Sequence, residues 1–279
     1  MNDPLVSIMM PVFNGLPLIK ASIASLQCQT YQNWECIVID DGSTDGTSLY
    51  LDSLGDDRFR VYHQTNQGRP VARQKALDLA NGKYLAMLDA GDLYHPDKIE
   101  KQVQILEARP EISLVTTSMC SFGTKNENIY IRGVEHTLEV VFTGINHPTH
   151  APSLLRMDRA KLCEYNPTLL LGEDQDFLEK YLKKGDSFIR LSDVYYYYSE
   201  LDSVSKTKIR KNYFLYVVKY FKERNLRLAT SFIMKYMYSV MIFPFISIDK
   251  LLARRGRKPT DNQYNQYELY CKRLVDSIL

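Results

Sequence analysis

Acids and arginines recur in this sequence at the ends of apolar runs, which is where a binding site gathers charge. Tyr84-Leu85-Ala86-Met87-Leu88 ends in Asp89-Ala90-Gly91-Asp92, and Trp34 to Ile39 ends in Asp40-Asp41-Gly42-Ser43-Thr44-Asp45. Short apolar runs bounded by turn residues read as buried strands, and open α/β sheets bind ligands beyond the carboxyl ends of their strands. Paired acids there suit a hard divalent cation, Mg²⁺ or Mn²⁺, whose shell substrate phosphates complete. The competing reading is a solvated turn whose acids cap the next helix, a task open to Ser43, Thr44 or Asp45. Capping explains one acid of Asp40-Asp41 but not both. Gly172-Glu173-Asp174 opens a third acidic stretch, at the start of a helix with Phe177, Leu178, Tyr181 and Leu182 on its apolar side and Gly185 behind it. The helix dipole favours acids at that end whatever their function.

The elements that must position these groups follow from periodicity. Leu5 to Met10 reads as a strand closed by the turn residues Pro11 to Gly15, and Ile19, Ile23 and Leu26 give Leu18 to Gln29 the apolar face of a helix. Phe59 to His63 is a third short strand. Gly68-Arg69-Pro70 leads into a helix with a small face of Ala72, Ala76 and Ala80, stopped by Asn81-Gly82. Beyond Asp92, Pro96 opens a helix carrying Ile99, Val103 and Leu106 as far as Arg109-Pro110, and Ile112 to Ser118 is another strand. Phe122 to Glu135 is polar and shows no period. Strands alternating with helices predict an α/β fold whose mostly parallel central sheet has helices on both faces and right-handed crossovers.

A chain of 279 residues accommodates one large α/β domain, with or without an appendage. The balance of 35 Lys and Arg against 33 Asp and Glu gives no basis for nucleic acid as a partner. The five cysteines lack metal or redox spacing, so reduced thiols are expected. Met1-Asn2-Asp3-Pro4 has no charged segment followed by an apolar signal core, and a cytoplasmic location is expected.

The order of these motifs resembles that of the inverting family 2 glycosyltransferases, which have the nucleotide-sugar-binding GT-A fold. The matching pieces are Pro11-Val12-Phe13-Asn14, Asp40 to Asp45, Asn66-Gln67-Gly68 with Ala72-Arg73, Leu88 to Asp92, and Gly172-Glu173-Asp174. The resemblance implies a GT-A domain over residues 1–205, with a helical extension over 206–279. It also implies a metal-dependent hexosyl- or N-acetylhexosaminyl-transferase that moves a sugar from a nucleotide-sugar, a UDP-sugar above all, to a hydroxyl of a glycan or lipid-linked glycan. On the donor side it places Pro11, Phe13, Asn14, Asp41, Arg69, Arg73 and Asp89. Phe13 would stack on the base or sit in the core, and Asp41 would accept the uracil N–H. A guanidinium suits a diphosphate because it donates in a planar fork. Asp92, with Asp89, would hold Mn²⁺ or Mg²⁺, although Gly91 stands where the family's run has a further Asp. Asp174 takes the place of the catalytic base, and Glu173 that of an acceptor-orienting acid. Tyr195 to Ser205 resembles the family's ending motif, but Tyr198 replaces an Arg and Glu200 a His; Glu200 either replaces that His as an oxygen ligand or is a solvated loop acid, the commoner case. Two other classes remain open: a non-catalytic nucleotide-sugar-binding or scaffold protein, and a nucleotidyltransferase of related fold, which leaves Gly172-Glu173-Asp174 unexplained.

After Lys206 the character changes. Tyr213 to Phe221 is aromatic, Leu228 to Ile248 is apolar but broken by Lys235 and Pro244, and Arg254-Arg255-Gly256-Arg257-Lys258 is basic. The charge and the proline make a poor span. An interfacial helix over 228–258 at the inner face of the membrane is the better membrane reading, and a helical subdomain packed on the core or on a second copy of the chain is the alternative. Asn146 to Arg156 is similar to the family's strand leading towards the acceptor side, and its His147 and His150, beside Pro148 and Pro152, either contact acceptor or phosphate or are ordinary surface residues, the commoner case.

Overall fold

In the computed structural model, described over residues 3–123, 129–169, 172–200, 206–222, 224–245 and 256–278, the strand and helix boundaries follow the turn residues closely. The first half runs β1 (Val6–Val12), α1 (Ile19–Gln27), β2 (Trp34–Asp40), α2 (Thr47–Asp52), β3 (Phe59–His63), α3 (Arg69–Leu79) and β4 (Tyr84–Met87). Then follow β5 (Leu93–Tyr94), α4 (Lys98–Ala108), β6 (Ile112–Phe122), β7 (Tyr130–Arg132), β8 (Leu138–Val141), β9 (Leu154–Arg156), α5 (Met157–Ala160), α6 (Glu173–Tyr181) and β10 (Ser187–Ser199). The sheet order is β3-β2-β1-β4-β9-β6-β10-β5. It is parallel from β3 to β4, and β9 and β10 continue it antiparallel.

Strand alternation divides the core between the two faces of the sheet. Val6, Ile8, Met10 and Val12 of β1 point to one face, where Ile19, Ile23 and Leu26 of α1 and Ile99, Val103 and Leu106 of α4 cover them. Met9, Ile37 and Ile39 point to the other, beneath Ala72, Ala76 and Leu77 of α3 and Phe177, Leu178 and Tyr181 of α6. The alanines keep α3 close to the sheet, so residues at its amino end lie near the strand tips. Because β2 and β4 flank β1 on opposite sides, the chain reverses direction of growth at β1, and a crevice opens at the carboxyl ends of β1 and β4.

The chain divides into two compact units. The first comprises Met1–Cys120, Gly133–Tyr198 and Pro259–Leu279 and contains the sheet core together with the C-terminal helical segment Asp261–Asp276. All five cysteines are free thiols, with Cys28 exposed. The second unit comprises Ser121–Arg132 and Ser199–Lys258. Within it α7 (Lys206–Lys222) and α8 (Leu226–Ile242) pack through aromatic rings, Phe232 stacking on Tyr216 at 4.7 Å and lying 5.5 Å from Tyr220. Glu200 is buried and paired with Arg132 of β7 rather than solvated as expected; a buried acid requires such a partner. The stretch Leu226–Phe245, 20 residues, is long and apolar enough to cross a membrane by length and composition, and only 17% of its apolar window is buried. Residues 201–205 and 246–255, which include Ser203, Ser205, Arg254 and Arg255, lie outside the described residues.

Candidate active site

Three loops at the strand tips are tied to one another before any ligand is considered. After β1 the backbone turns at Asn14, which is left-handed at φ 53° and leaves Phe13 52% exposed at the crevice, not in the core. Asn14 donates its N–H to Ser43 Oγ at 2.8 Å and accepts from the Thr44 N–H at 2.8 Å, joining the β1 loop to the β2 loop. The acids after β2 all find partners within the protein. Asp40 accepts from the Ser43 N–H, from Ser48 and from His63; burial alone would raise its pKa, but these bonds outweigh burial and lower it. Asp45 accepts the Thr47 N–H at 3.0 Å and the Leu16 N–H at 3.1 Å, but the cap position of α2 is Gly46, so none of Ser43, Thr44 and Asp45 caps that helix as expected. Asp41 is buried and accepts from Gln64 Nε2, the Gln67 N–H and the Gly68 N–H, each at 2.8 Å, so it shapes the loop that leads into α3. A carboxylate has about four acceptor positions, and these three bonds leave one for a ligand donor.

Arg73 is the centre of the charged cluster. Its guanidinium is buried, donates through Nη2 to both oxygens of Asp89 at 2.8 and 2.9 Å, and donates through Nη1 to Glu173 Oε1 at 3.0 Å. Arg69, one turn earlier and half exposed, reaches the same Glu173 oxygen at 2.9 Å. One cation thus joins the tip of β4 to the amino end of α6. The two acids respond in opposite directions. Although burial opposes it, Arg73 and then Arg69 pull Asp89 down to about 2. Burial outweighs the same arginines at Glu173 and raises it. Nε of Arg73 is buried with no hydrogen-bond partner among the described residues.

Gly172, left-handed at φ 80°, turns the chain into α6 so that Glu173, Asp174 and Asp176 fall in its first turn. Asp174 is half-buried, and its charge bears on Arg73, His150 and Tyr165. Asp176 is committed to Lys180 at 2.8 Å, one turn along the helix. His150 is buried, not at the surface as expected. Its Nε2 lies 2.8 Å from the Tyr165 hydroxyl, and burial followed by the nearby Arg73 charge pushes its pKa down to about 3, so the imidazole is neutral. Tyr165 stacks on Phe177 of α6 at 4.3 Å, which supports the amino end of α6 from beneath.

At the tip of β4, Asp92 is buried and its Oδ2 accepts from the Tyr196 hydroxyl at 2.6 Å. Tyr196 reaches it because β10 pairs with β5, with Tyr196 opposite Tyr94. Gly91 lies at φ 102° and donates its N–H to Ser22 Oγ at 2.8 Å. An added Cβ there meets nothing closer than Leu18 at 3.6 Å, so the backbone angle, not space, calls for glycine where the family has Asp. Gly91→Ala is expected to cost about 1–3 kcal/mol of stability, measured by denaturant titration; an unchanged midpoint would refute that reading. Among the described residues no group of three or more His, Cys, Asp or Glu side chains gathers to hold a cation. A cation at this strand tip would rest on Asp92, with Asp89 already held by Arg73, and would need its other ligands from a diphosphate and water. That is the usual arrangement when phosphates share the metal.

A sheet that is parallel from β3 to β4, with a charged cleft at its switch point between the arginines of α3 and the acids of α6, is the architecture of the GT-A fold. The family model for Glycosyl transferase family 2 matches residues 7–162, more than half of the chain, and the chain belongs to that family. It is 41% identical over 109 residues to the putative teichuronic acid biosynthesis glycosyltransferase TuaG of Bacillus subtilis, a match covering 38% of this chain and 43% of TuaG. It is 39% identical over 107 residues to the UDP-Glc:alpha-D-GlcNAc-diphosphoundecaprenol beta-1,3-glucosyltransferase WfgD of Escherichia coli, covering 38% of this chain and 42% of WfgD. The matched stretch is therefore less than half of either relative. In structure it is similar to S. aureus TarS 1-349 in complex with UDP, with TM-score 0.65, 18% identity, 98% of this chain and 83% of that one. It is also similar to the mannosyltransferase PcManGT of Pyrobaculum calidifontis in complex with GDP-Man and Mn2+, with TM-score 0.60, 16% identity, 98% of this chain and 84% of that one.

Two residues that periodicity does not single out belong to this cleft, His150 and Tyr196. The run Tyr195-Tyr196-Tyr197-Tyr198 hides the alternation that would have marked Tyr196 as inward-facing, and no spacing signal marks His150.

Proposed function

We propose that the protein transfers a hexosyl or N-acetylhexosaminyl group from a UDP-sugar to a hydroxyl of a glycan or lipid-linked glycan, by one displacement with inversion. The observation that carries this reading is the Arg73 bridge, which holds a donor-side acid, Asp89, and the helix bearing Asp174 on one guanidinium. The uridine ring lies against Phe13, and its N–H takes the remaining acceptor position on Asp41. Arg69 faces the diphosphate from the first turn of α3, and Glu173 orients the acceptor while its Oε1 stays on the arginines. Asp92, with Asp89 beside it, would hold Mn²⁺ or Mg²⁺, which when bound sets positive charge against the diphosphate. The acceptor hydroxyl gives its proton to the Asp174 carboxylate, and its oxygen bonds to the anomeric carbon from the side opposite the diphosphate. The bond from that carbon to the diphosphate oxygen breaks, and its electron pair leaves with UDP. The names of TuaG and WfgD support a polysaccharide or lipid-linked glycan as acceptor.

Incubation of UDP-sugars with the protein and Mn²⁺ tests the reaction class. Slow UDP release without acceptor is expected; pyrophosphate release would indicate a nucleotidyltransferase, and neither product a binding protein. Calorimetric titration of UDP into wild type and Asp92→Asn, each with and without Mn²⁺, tests the cation. Binding is expected to be strongest in wild type with Mn²⁺ and to weaken when either is removed. Equal affinity in all four titrations refutes the assignment of the metal to Asp92.

A further inference from the structure

Helix α8 has two apolar faces, and the second unit covers only one of them. Ala229, Phe232 and Ser239 lie on the face turned towards α7, with Ala229 and Ser239 fully buried. On the opposite side Ile233, Met234, Met237, Val240 and Met241 recur at helical spacing and are all exposed, Met234 at 68% and Met241 at 63%. Leu226 and Phe245 extend this open stripe to both ends of the 20-residue stretch. Isolated exposed apolar residues are ordinary, but a continuous stripe of this length on a folded helix needs an apolar partner.

The charge around the stripe identifies that partner. The whole chain carries a formal charge of +2, yet between Ser199 and Lys258 fourteen lysines and arginines stand against four acids. Lys222, Arg224 and Arg227 cluster where α7 turns into α8, and all three are exposed. Lys235 lies 4.3 Å from the centre of the Phe232 ring, on the side of the helix turned towards α7, so the cations available to the stripe are those at its amino end. A second copy of the chain would bring the same basic groups together and repel itself, whereas an anionic bilayer attracts them. Methionine and isoleucine on one side, basic groups at the amino end and low burial are the features of a helix lying in the plane of a membrane interface.

We propose that α8 docks on the surface of an anionic lipid bilayer, inserting the Ile233, Met234, Met237, Val240 and Met241 stripe among the acyl chains while Lys222, Arg224 and Arg227 meet lipid phosphates. The helix lies on the membrane instead of crossing it, since Arg227 and Lys235 fall within the apolar stretch and its other face is committed to α7. This inference stands independently of the sugar-transfer reading, because it uses no residue of the cleft.

The test is sedimentation of the full chain with vesicles of phosphatidylglycerol and phosphatidylcholine, and with phosphatidylcholine alone. The protein is expected to pellet with the anionic vesicles at low salt and to be released as salt screens the basic groups. Met234→Glu/Met237→Glu/Met241→Glu is expected to abolish pelleting. Lys222→Gln, Arg224→Gln and Arg227→Gln are each expected to weaken it roughly fivefold. All six positions are exposed, and circular dichroism with a thermal melt verifies that each variant is folded. Equal binding to neutral vesicles, or binding that survives the glutamates, overturns the proposal. So does a protein that stays in solution, and a concentration-dependent dimer lost on glutamate substitution would then assign the stripe to a second copy of the chain.

Discussion

Replacing Asp174 by Asn is expected to lower kcat by about 10²–10⁴-fold while leaving UDP affinity unchanged. The magnitude is that of removing one positioned general base, and the split between the two readouts follows from where the acids of the cleft are held. Asp41 is bonded to the loop at 64–68, Asp89 to Arg73, and Asp92 to Tyr196. Asp176, two residues along α6, is paired with Lys180. Asp174 is the acid whose known hydrogen bond is local, from the N–H of the next residue, Gln175, at 2.8 Å. Asn keeps the size and can still accept that N–H through its amide oxygen, so α6 should form as before. Its uncharged amide cannot take up the acceptor's proton. Glu173→Gln and Asp176→Asn are the neighbours to assay on the same preparations. If Asp176→Asn is the inactive variant, or if Asp174→Asn turns over near the wild-type rate, the base has been misplaced.

Much of the cleft is legible in the sequence because parallel α/β units separate their signals. β1, β2 and β4 are largely apolar runs closed by turn residues, with polar residues gathered at their carboxyl ends. The acids after β2 and β4 could therefore be placed at one edge of the sheet before any contact was known. What those acids bond to could not be read, because spacing does not distinguish a carboxylate waiting for a ligand from one satisfying its own loop. Asp40 and Asp45 proved to be of the second kind, bonded to Ser43, Ser48, His63 and Thr47. Long-range pairing is hidden for the same reason. Arg73 and Glu173 lie 100 residues apart, and only the packing of α3 and α6 on one face of the sheet brings them within 3.0 Å. The antiparallel half was less legible still. In β10 a run of four tyrosines erases the alternation, and Glu200 looked solvated until β7 supplied Arg132.

Arg73→Met is expected to destabilise the protein by about 3–5 kcal/mol, the usual consequence of removing one partner from a buried charge cluster. For a unit of this size that corresponds to a fall in Tm of roughly 6–20 °C. The cause is less the lost attraction than the groups left behind. Glu173 is almost wholly buried, and without Arg73 it keeps only the half-exposed Arg69, while both Asp89 oxygens lose their donor. The pH dependence distinguishes this mechanism from a packing defect. In the wild type Asp89 is depressed to about 2, so it contributes stability that is present above the ordinary carboxylate range and is lost as pH falls towards 2. Glu173 is raised, so its ionised form opposes folding and acid relieves it. Once Arg73 is gone both acids belong to the second type. The deficit relative to wild type should then be full at neutral pH and shrink as pH falls through the carboxylate range, where the stranded acids take up protons. Adding Glu173→Gln to Arg73→Met removes one stranded charge and should recover part of the loss at neutral pH but little in acid. Denaturant titrations of the wild type and both variants at pH 7 and pH 4 measure all of this. A deficit of the same size at both values would mean that Arg73 acts through packing alone, and the charged bridge from β4 to α6 would no longer account for how α6 is held.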